Sequence, residues 1–138
     1  MKRIVLLSDP RVRLEPAAGA LASSGLEAVS VASIADARLQ VEAGAVGLVV
    51  GVSGADWSGE RAAGLAGWPP ALRRKCVVAL LGPGFVTGDG VRAFLLGVDL
   101  LVLAGEVGRL GEIMATALLS KGALLAPLDP ASAARFGA

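Results

Sequence analysis

A doubly wound α/β domain, with a parallel sheet covered by helices on both faces, is the fold this sequence predicts. Three observations carry that reading. Five short runs rich in branched aliphatic residues recur along the chain, and four of them are continuous, as in strands buried on both faces. Segments with apolar residues at helical spacing separate those runs, the alternation that gives a parallel sheet with right-handed crossovers. Finally, 138 residues with no break in composition suit one domain with its own core.

Ile4 to Leu7 is the first strand, closed by Ser8, Asp9 and Pro10. Leu14, Ala17, Ala18 and Leu21 then follow at helical spacing up to Gly25, with Pro16 predicting an irregular first turn. Val29 and Val31 mark a short second strand. Ser33 is placed to cap a helix carrying Ile34, Ala37 and Val41 and ending at Gly44. Val46 to Val52 is the third strand. From Asp56 to Lys75 the pattern weakens, because Gly59, Gly64 and Gly67 dilute a short helix ahead of the Trp68, Pro69, Pro70 loop.

Val77 to Leu81 is the fourth strand, ending in Gly82, Pro83 and Gly84, and Val91 to Leu96 is a helix closed by Gly97. Leu100 to Leu103 is the fifth strand. A last strong helix runs from about Val107 to Lys121, with Val107, Leu110, Met114, Ala117 and Leu118 as its apolar stripe. Residues 122–138 are rich in Ala and Pro and read as a C-terminal tail, or as a short terminal helix started by Asp129 and Pro130.

Composition removes several classes of function. The net charge is +1, and the clearest basic cluster, Arg73, Arg74 and Lys75, is too small to track a phosphate backbone, so no nucleic-acid partner is expected. Histidine is absent, which removes the usual base of nucleophile systems and the commonest metal ligand. The lone Cys76 opens an apolar run and reads as a small buried hydrophobe in a reducing compartment. The charge-free stretches Ala43 to Ala55 and Cys76 to Gly88 are too short and glycine-rich for a membrane helix. The apolar run behind Met1, Lys2 and Arg3 stops at Ser8, too early for a signal peptide, so a cytoplasmic protein is expected. No enzymatic activity, metal or cofactor is expected.

In sheets of this kind, chemistry gathers beyond the carboxyl ends of the strands. Here those ends offer Ser8 and Asp9, then Gly51 and Ser53, then Gly82, then Ala104 with Gly105 and Glu106. Asp9 is the one carboxylate at the expected centre, and Asp before Pro10 is also a good turn or helix starter. Asp56 and Glu60 lie further out, on the loop beyond Ser53 and Gly54.

Over residues 2–121 the element order and spacing resemble the receiver domains of bacterial two-component response regulators. Asp9-Pro10-Arg11, with Gly25 and then Val29 to Ala32, is similar to that family's first β-α-β unit. Val91-Arg92-Ala93-Phe94-Leu95-Leu96-Gly97-Val98-Asp99 is similar to its fourth helix and the Gly-Ala-Asp turn into its fifth strand. The resemblance implies a flavodoxin-like (CheY-like) sheet in the order 2-1-3-4-5, with residues 1–121 as the receiver-like domain.

It also implies a site stripped of its chemistry. The family's metal-holding acidic pair corresponds to Ser8 and Asp9, and its phosphoacceptor aspartate to Gly51, which has nothing to phosphorylate. Its phosphate-sensing hydroxyl corresponds to Gly82, its lysine to Ala104, and its following proline to Gly105. The aromatic switch position is Leu101. The expected function is therefore that of a phosphorylation-independent pseudo-receiver, binding a protein partner or a second copy of itself.

Its expected surface lies on the fourth helix, fifth strand and fifth helix of the family layout, with Phe94, Val98, Leu101 and Met114 facing outward; the other orientation has Phe94 turned into the core. An alternative function is a sensor of an anionic small molecule, in which Gly51, Gly54, Gly82, Gly84 and Gly105 open the backbone amides of the mouth to a ligand. The run Gly82 to Gly90 has the look of a phosphate loop but lacks its lysine and spacing.

Overall fold

Each apolar run forms a strand in the computed structural model, which describes residues 1–54 and 56–137. The strands are β1 (Lys2–Leu7), β2 (Leu26–Val31), β3 (Gly47–Gly51), β4 (Val77–Gly82) and β5 (Leu100–Leu103). All pairings are parallel, in the order β2-β1-β3-β4-β5. This is the flavodoxin-like arrangement, with its switch point between β1 and β3. β3 and β4 are buried along their whole length, which is why their sequences carry no alternation. β2 is an edge strand and extends further back than Val29, with Leu26 buried, Glu27 and Ser30 exposed and the rest half-buried. Ala55, the last residue of one charge-free stretch, and Ala138, the end of the tail, lie outside the described residues.

Seven α-helices, among the described residues, cover the sheet where five were expected. They are α1 (Glu15–Ala22), α2 (Ile34–Glu42), α3 (Gly59–Ala66), α4 (Pro70–Arg73), α5 (Gly90–Leu96), α6 (Leu110–Leu125) and α7 (Pro130–Ala134). Pro16 falls in the first turn of α1, where its missing N–H has no partner to lose, so the helix starts regularly. α2 begins as its sequence dictates, with the Ser33 hydroxyl accepting from the Asp36 amide at 3.1 Å. α5 ends at Gly97, whose φ of 74° is the left-handed cap that glycine adopts without strain. The last helix, expected from about Val107 to Lys121, begins at Leu110 after a 3-10 stretch over Ala104–Arg109 and runs on past residue 121.

Two apolar cores flank the sheet. One joins Val5, Leu48, Val50, Val78, Leu80 and Leu101 to α2, α3, α4 and α5; the other joins Ile4, Leu6, Val49, Ala79, Leu81 and Val102 to α1 and α6. α1 and α6 meet at Gly111, where a methyl group would collide with the Ala20 carbonyl oxygen.

The segment after residue 121 belongs to the second core. Asp129 caps α7, accepting from the Ser132 amide at 3.2 Å and the Ser132 hydroxyl at 2.6 Å, and Phe136 beyond it is fully buried. The Ser132 hydrogen bonds, with Arg74 nearby, hold the Asp129 carboxyl below the usual carboxylate range.

At the foot of the sheet, basic side chains cap helix ends from a distance in sequence. Arg135 donates to the carbonyls of Val41 and Ala45, both at 3.2 Å, and Arg3 donates to Ala43 at 2.7 Å. Lys121 donates to the Arg73 carbonyl at 3.0 Å and the Cys76 carbonyl at 2.6 Å, and pairs with Asp99 at 3.2 Å. Asp99, the acid of the Gly-Val-Asp turn, also accepts from the Val78 amide at 2.7 Å and so fixes where β4 begins. Arg73 and Arg74, the core of the basic cluster, are likewise engaged, on the Gly97 carbonyl and on Asp129. The contacts with the Val41, Ala43, Arg73 and Gly97 carbonyls complement the negative ends of the helix dipoles.

Candidate functional site

The carboxyl ends of β1 and β3 lie side by side, since Leu7 pairs with Val50, and this places Asp9 next to Gly51. Asp9 opens a tight turn over Pro10. Its carbonyl accepts from the Val12 amide at 3.0 Å, and one carboxylate oxygen accepts from the Arg11 amide at 2.8 Å. The turn-starting role read for this Asp-Pro pair is the role it performs. The other carboxylate oxygen faces Arg61, whose Nη1 lies 3.5 Å away, while Arg61 Nη2 donates to the Gly51 carbonyl at 2.7 Å. The guanidinium also sits 5.8 Å from the centroid of the Trp57 ring. A hydrogen bond from a charged donor contributes about 1.5–3 kcal/mol, and the partly exposed ion pair about 1 kcal/mol or less. The carbonyl contact is therefore the stronger of the two.

Two glycines of the mouth, Gly51 and Gly82, are filled positions, whereas a side chain at Gly54 or Gly105 would meet open space or ordinary contact. A methyl group on Gly51 would come within 3.2 Å of the Asp9 amide nitrogen and 3.4 Å of the Val12 Cβ, and Val12 itself is buried. On Gly82 the same group would collide with the Val52 carbonyl oxygen, because Val52, bonded to the Leu81 carbonyl at 2.9 Å, folds across the end of β4. Ala104 is half-buried at the start of the 3-10 segment and packs on the second core, and Ser8 is exposed. Thus Ser8, Asp9, Gly51 and Gly82 share one mouth, held by local packing and by an arginine.

The Gly82 to Gly90 run also has structural work. Phe85 is buried, the Thr87 hydroxyl accepts from the Leu103 amide at 2.9 Å, and the Gly88 amide donates to the Leu101 carbonyl at 3.1 Å. The loop thus lies along β5. A cavity of about 310 Å³ remains beside Arg61, lined by Asp9, Ser53, Asp56, Trp57, Ser58 and Glu60. Three carboxylates line it against one arginine that is already engaged, an arrangement that repels an anion. Asp56 and Glu60 are exposed, and among the described residues no three acidic or soft side chains converge as metal ligands do.

On the outer side of the sheet, Phe94 is 82% exposed, as expected of an interface residue. The other three residues expected there point inward: Leu101 and Met114 are fully buried, and Val98 is 7% exposed. The reason is layering. β5 is covered on one face by α5 and on the other by α6, so its Leu101 joins the first core; Met114 shares the buried stripe of Leu110 and Leu118. In their place Val91 and Leu95 are exposed on the same helix as Phe94, and Val86 is exposed in the loop before it.

Positions 91, 94 and 95 stand at i, i+3 and i+4 and form one helix face, while Ala93 turns inward. On the opposite side of β5 an open groove of about 670 Å³ runs along α6, lined by Leu100, Ile113, Ala117, Leu124, Leu125 and the stem of Lys121. Arg61 and the face around Phe94 are what sequence reading missed or placed only in part. The signal for the first was a basic residue in the first turn of a helix, where the dipole disfavours it.

Cys76 is fully enclosed, and burial pushes its thiol up to about 11, partly offset by Lys121 and Arg73. It is a packing residue. Among the described residues no helix is long and apolar enough to cross a membrane. Comparison of the chain with protein-family models, with curated proteins and with solved structures finds no match.

Proposed function

We propose that this chain is a phosphorylation-independent, receiver-like interaction module that binds another protein, or a second copy of itself, through the outer face of α5. The observation that carries the reading is the exposure of Val91, Phe94 and Leu95 along one face of one short helix. A contiguous apolar face of this kind marks an interface, and burying a Phe or Leu side chain contributes about 1.5–3 kcal/mol. The mouth offers no acceptor carboxylate at Gly51, and Val12 and Arg61 take up the room around it. Recognition at the side of the sheet is the role that remains for such a frame.

The test is sedimentation velocity over a concentration series, with the purified partner added once one is known. Phe94→Asp weakens association at least tenfold while the thermal midpoint stays within the range of an ordinary surface change. Leu39→Asp, another exposed apolar site but on α2, changes nothing. Association unaltered by Phe94→Asp refutes the interface. In a second arm the chain is incubated with acetyl phosphate and Mg²⁺ and keeps its mass; an acyl phosphate adduct refutes phosphorylation independence.

A further inference from the structure

From the contacts of Arg61 we infer that this side chain is a built-in cation, holding the ends of β1 and β3 and the start of α3 in one fixed arrangement that no soluble ion needs to complete. Three independent observations converge on it. The guanidinium bridges a carboxylate and a strand-end carbonyl, Asp9 and Gly51, which are the kinds of oxygen a hard cation takes at such a mouth. Its face lies over Trp57, and its Nε is sealed from solvent with no hydrogen-bond partner, so the side chain is held in place though partly exposed.

The third observation is that α3 has weak local support at this end, where Glu60 complements the dipole but little else does. Ser58 stands at the cap position but accepts no capping hydrogen bond, and Gly59 and Gly64 weaken an eight-residue helix. A basic residue in the first turn opposes the helix dipole as well. Weak local support calls for tertiary contacts that offset it: Leu65 in the first core holds the far half of α3, and the Arg61 bridge holds its start. Arg61 is thus a positioning residue. It ties α3 to the sheet, and with α3 the loop residues Trp57 and Ser58.

The device predicts a local effect, which separates it from ordinary stabilisation. Residue-resolved amide exchange by NMR is measured on the wild-type chain, Arg61→Ala, Arg61→Lys and Asp9→Asn. In Arg61→Ala, exchange at Ala63, Gly64 and Leu65 of α3 rises by about tenfold or more while Val78, Ala79 and Leu80 of β4 keep their protection. Acrylamide quenching of Trp57 rises in parallel, against the buried Trp68 as internal reference. Arg61→Lys restores part of the protection, because it keeps the charge and one donor.

Asp9→Asn has the smaller effect, since the Gly51 carbonyl holds the shorter bond. Millimolar Mg²⁺ leaves wild-type exchange in α3 unchanged. Wild-type protection of α3 in Arg61→Ala overturns the inference, as does loss of protection spread evenly over α3 and β4. Slower exchange of wild-type α3 in Mg²⁺ overturns the claim that the ion's place is taken. If Arg61→Ala does not fold, the Arg61→Lys and Asp9→Asn pair gives the same ordering.

Discussion

Replacing Gly82 tests whether the mouth is an emptied site or a packed one. If its glycines only record a lost activity, Gly82→Ala is harmless and Gly82→Ser returns a hydroxyl to open space. The geometry dictates otherwise, because the first side-chain atom at Gly82 runs into the Val52 carbonyl oxygen and lies 3.4 Å from the Phe85 ring. The obstacle is backbone. Val52 is fixed by its bond to the Leu81 carbonyl, so relief requires moving the end of β3 relative to β4. Overpacking of a rigid interior costs about 1–3 kcal/mol, and a backbone obstacle places this substitution at about 3 kcal/mol.

Gly51 is the internal comparison. Its nearest neighbour is 3.2 Å away, and the Val12 side chain can adjust, so Gly51→Ala lies within about 1 kcal/mol of wild type, helped by the stiffer unfolded chain. Urea denaturation followed by circular dichroism reads both variants; the midpoint of Gly82→Ala falls sharply with the slope preserved, and its melting temperature drops on the order of 10 °C. Equal stability of Gly82→Ala and wild type, or a greater loss at Gly51 than at Gly82, refutes the packed-mouth account.

Two further outcomes follow from the cores. Phe136→Ala removes a fully buried ring that joins the terminal segment to the α1 and α6 side and lowers stability by about 3–5 kcal/mol in urea unfolding, whereas a free tail predicts no change. Cys76 gives a pH signature: its folded value near 11 lies above the ordinary 9.0, so the stability tied to the protonated thiol is complete below pH 9 and is lost as pH rises towards 11. The span corresponds to about 3 kcal/mol at most, and unfolding curves of Cys76→Ala show a shallower decline across that window; parallel curves for the two chains would remove the thiol as the cause.

The strands were legible because burial on both faces leaves little polar residue within a run, and Val46–Val52 and Val77–Leu81 advertise this without help from context. Caps were legible where the side chain and its amide are neighbours in sequence, as at Ser33 and Asp129. The outward face was misplaced where layout was preferred to period. Met114 already stood in helical register with Leu110 and Leu118, and that register put it inside. Leu101 belongs to a strand with helices over both faces, so no side chain of the β5 centre had a way out. Arg61 was hidden for a different reason, since its partner Asp9 is distant in sequence and its other partner, at Gly51, is a backbone carbonyl. The same holds for Lys121 and Arg135, whose acceptors are carbonyls that no side-chain pattern announces.

The docking of Phe136 has a geometric corollary at the foot of the sheet. Gly137 follows it, and a methyl group there would meet the ammonium of Lys2, whose side chain reaches over from the start of β1, at 2.5 Å. Head and tail of the described chain therefore share one pole, and Asp9 with Arg61 stands at the other, beyond the carboxyl ends of the strands. A fluorophore, surface tether or fused domain attached at either end sits across the sheet from the arginine-held mouth. A short linker between the two ends also allows the chain to be reopened elsewhere, which makes circular permutation a practical way of asking which connections this sheet requires.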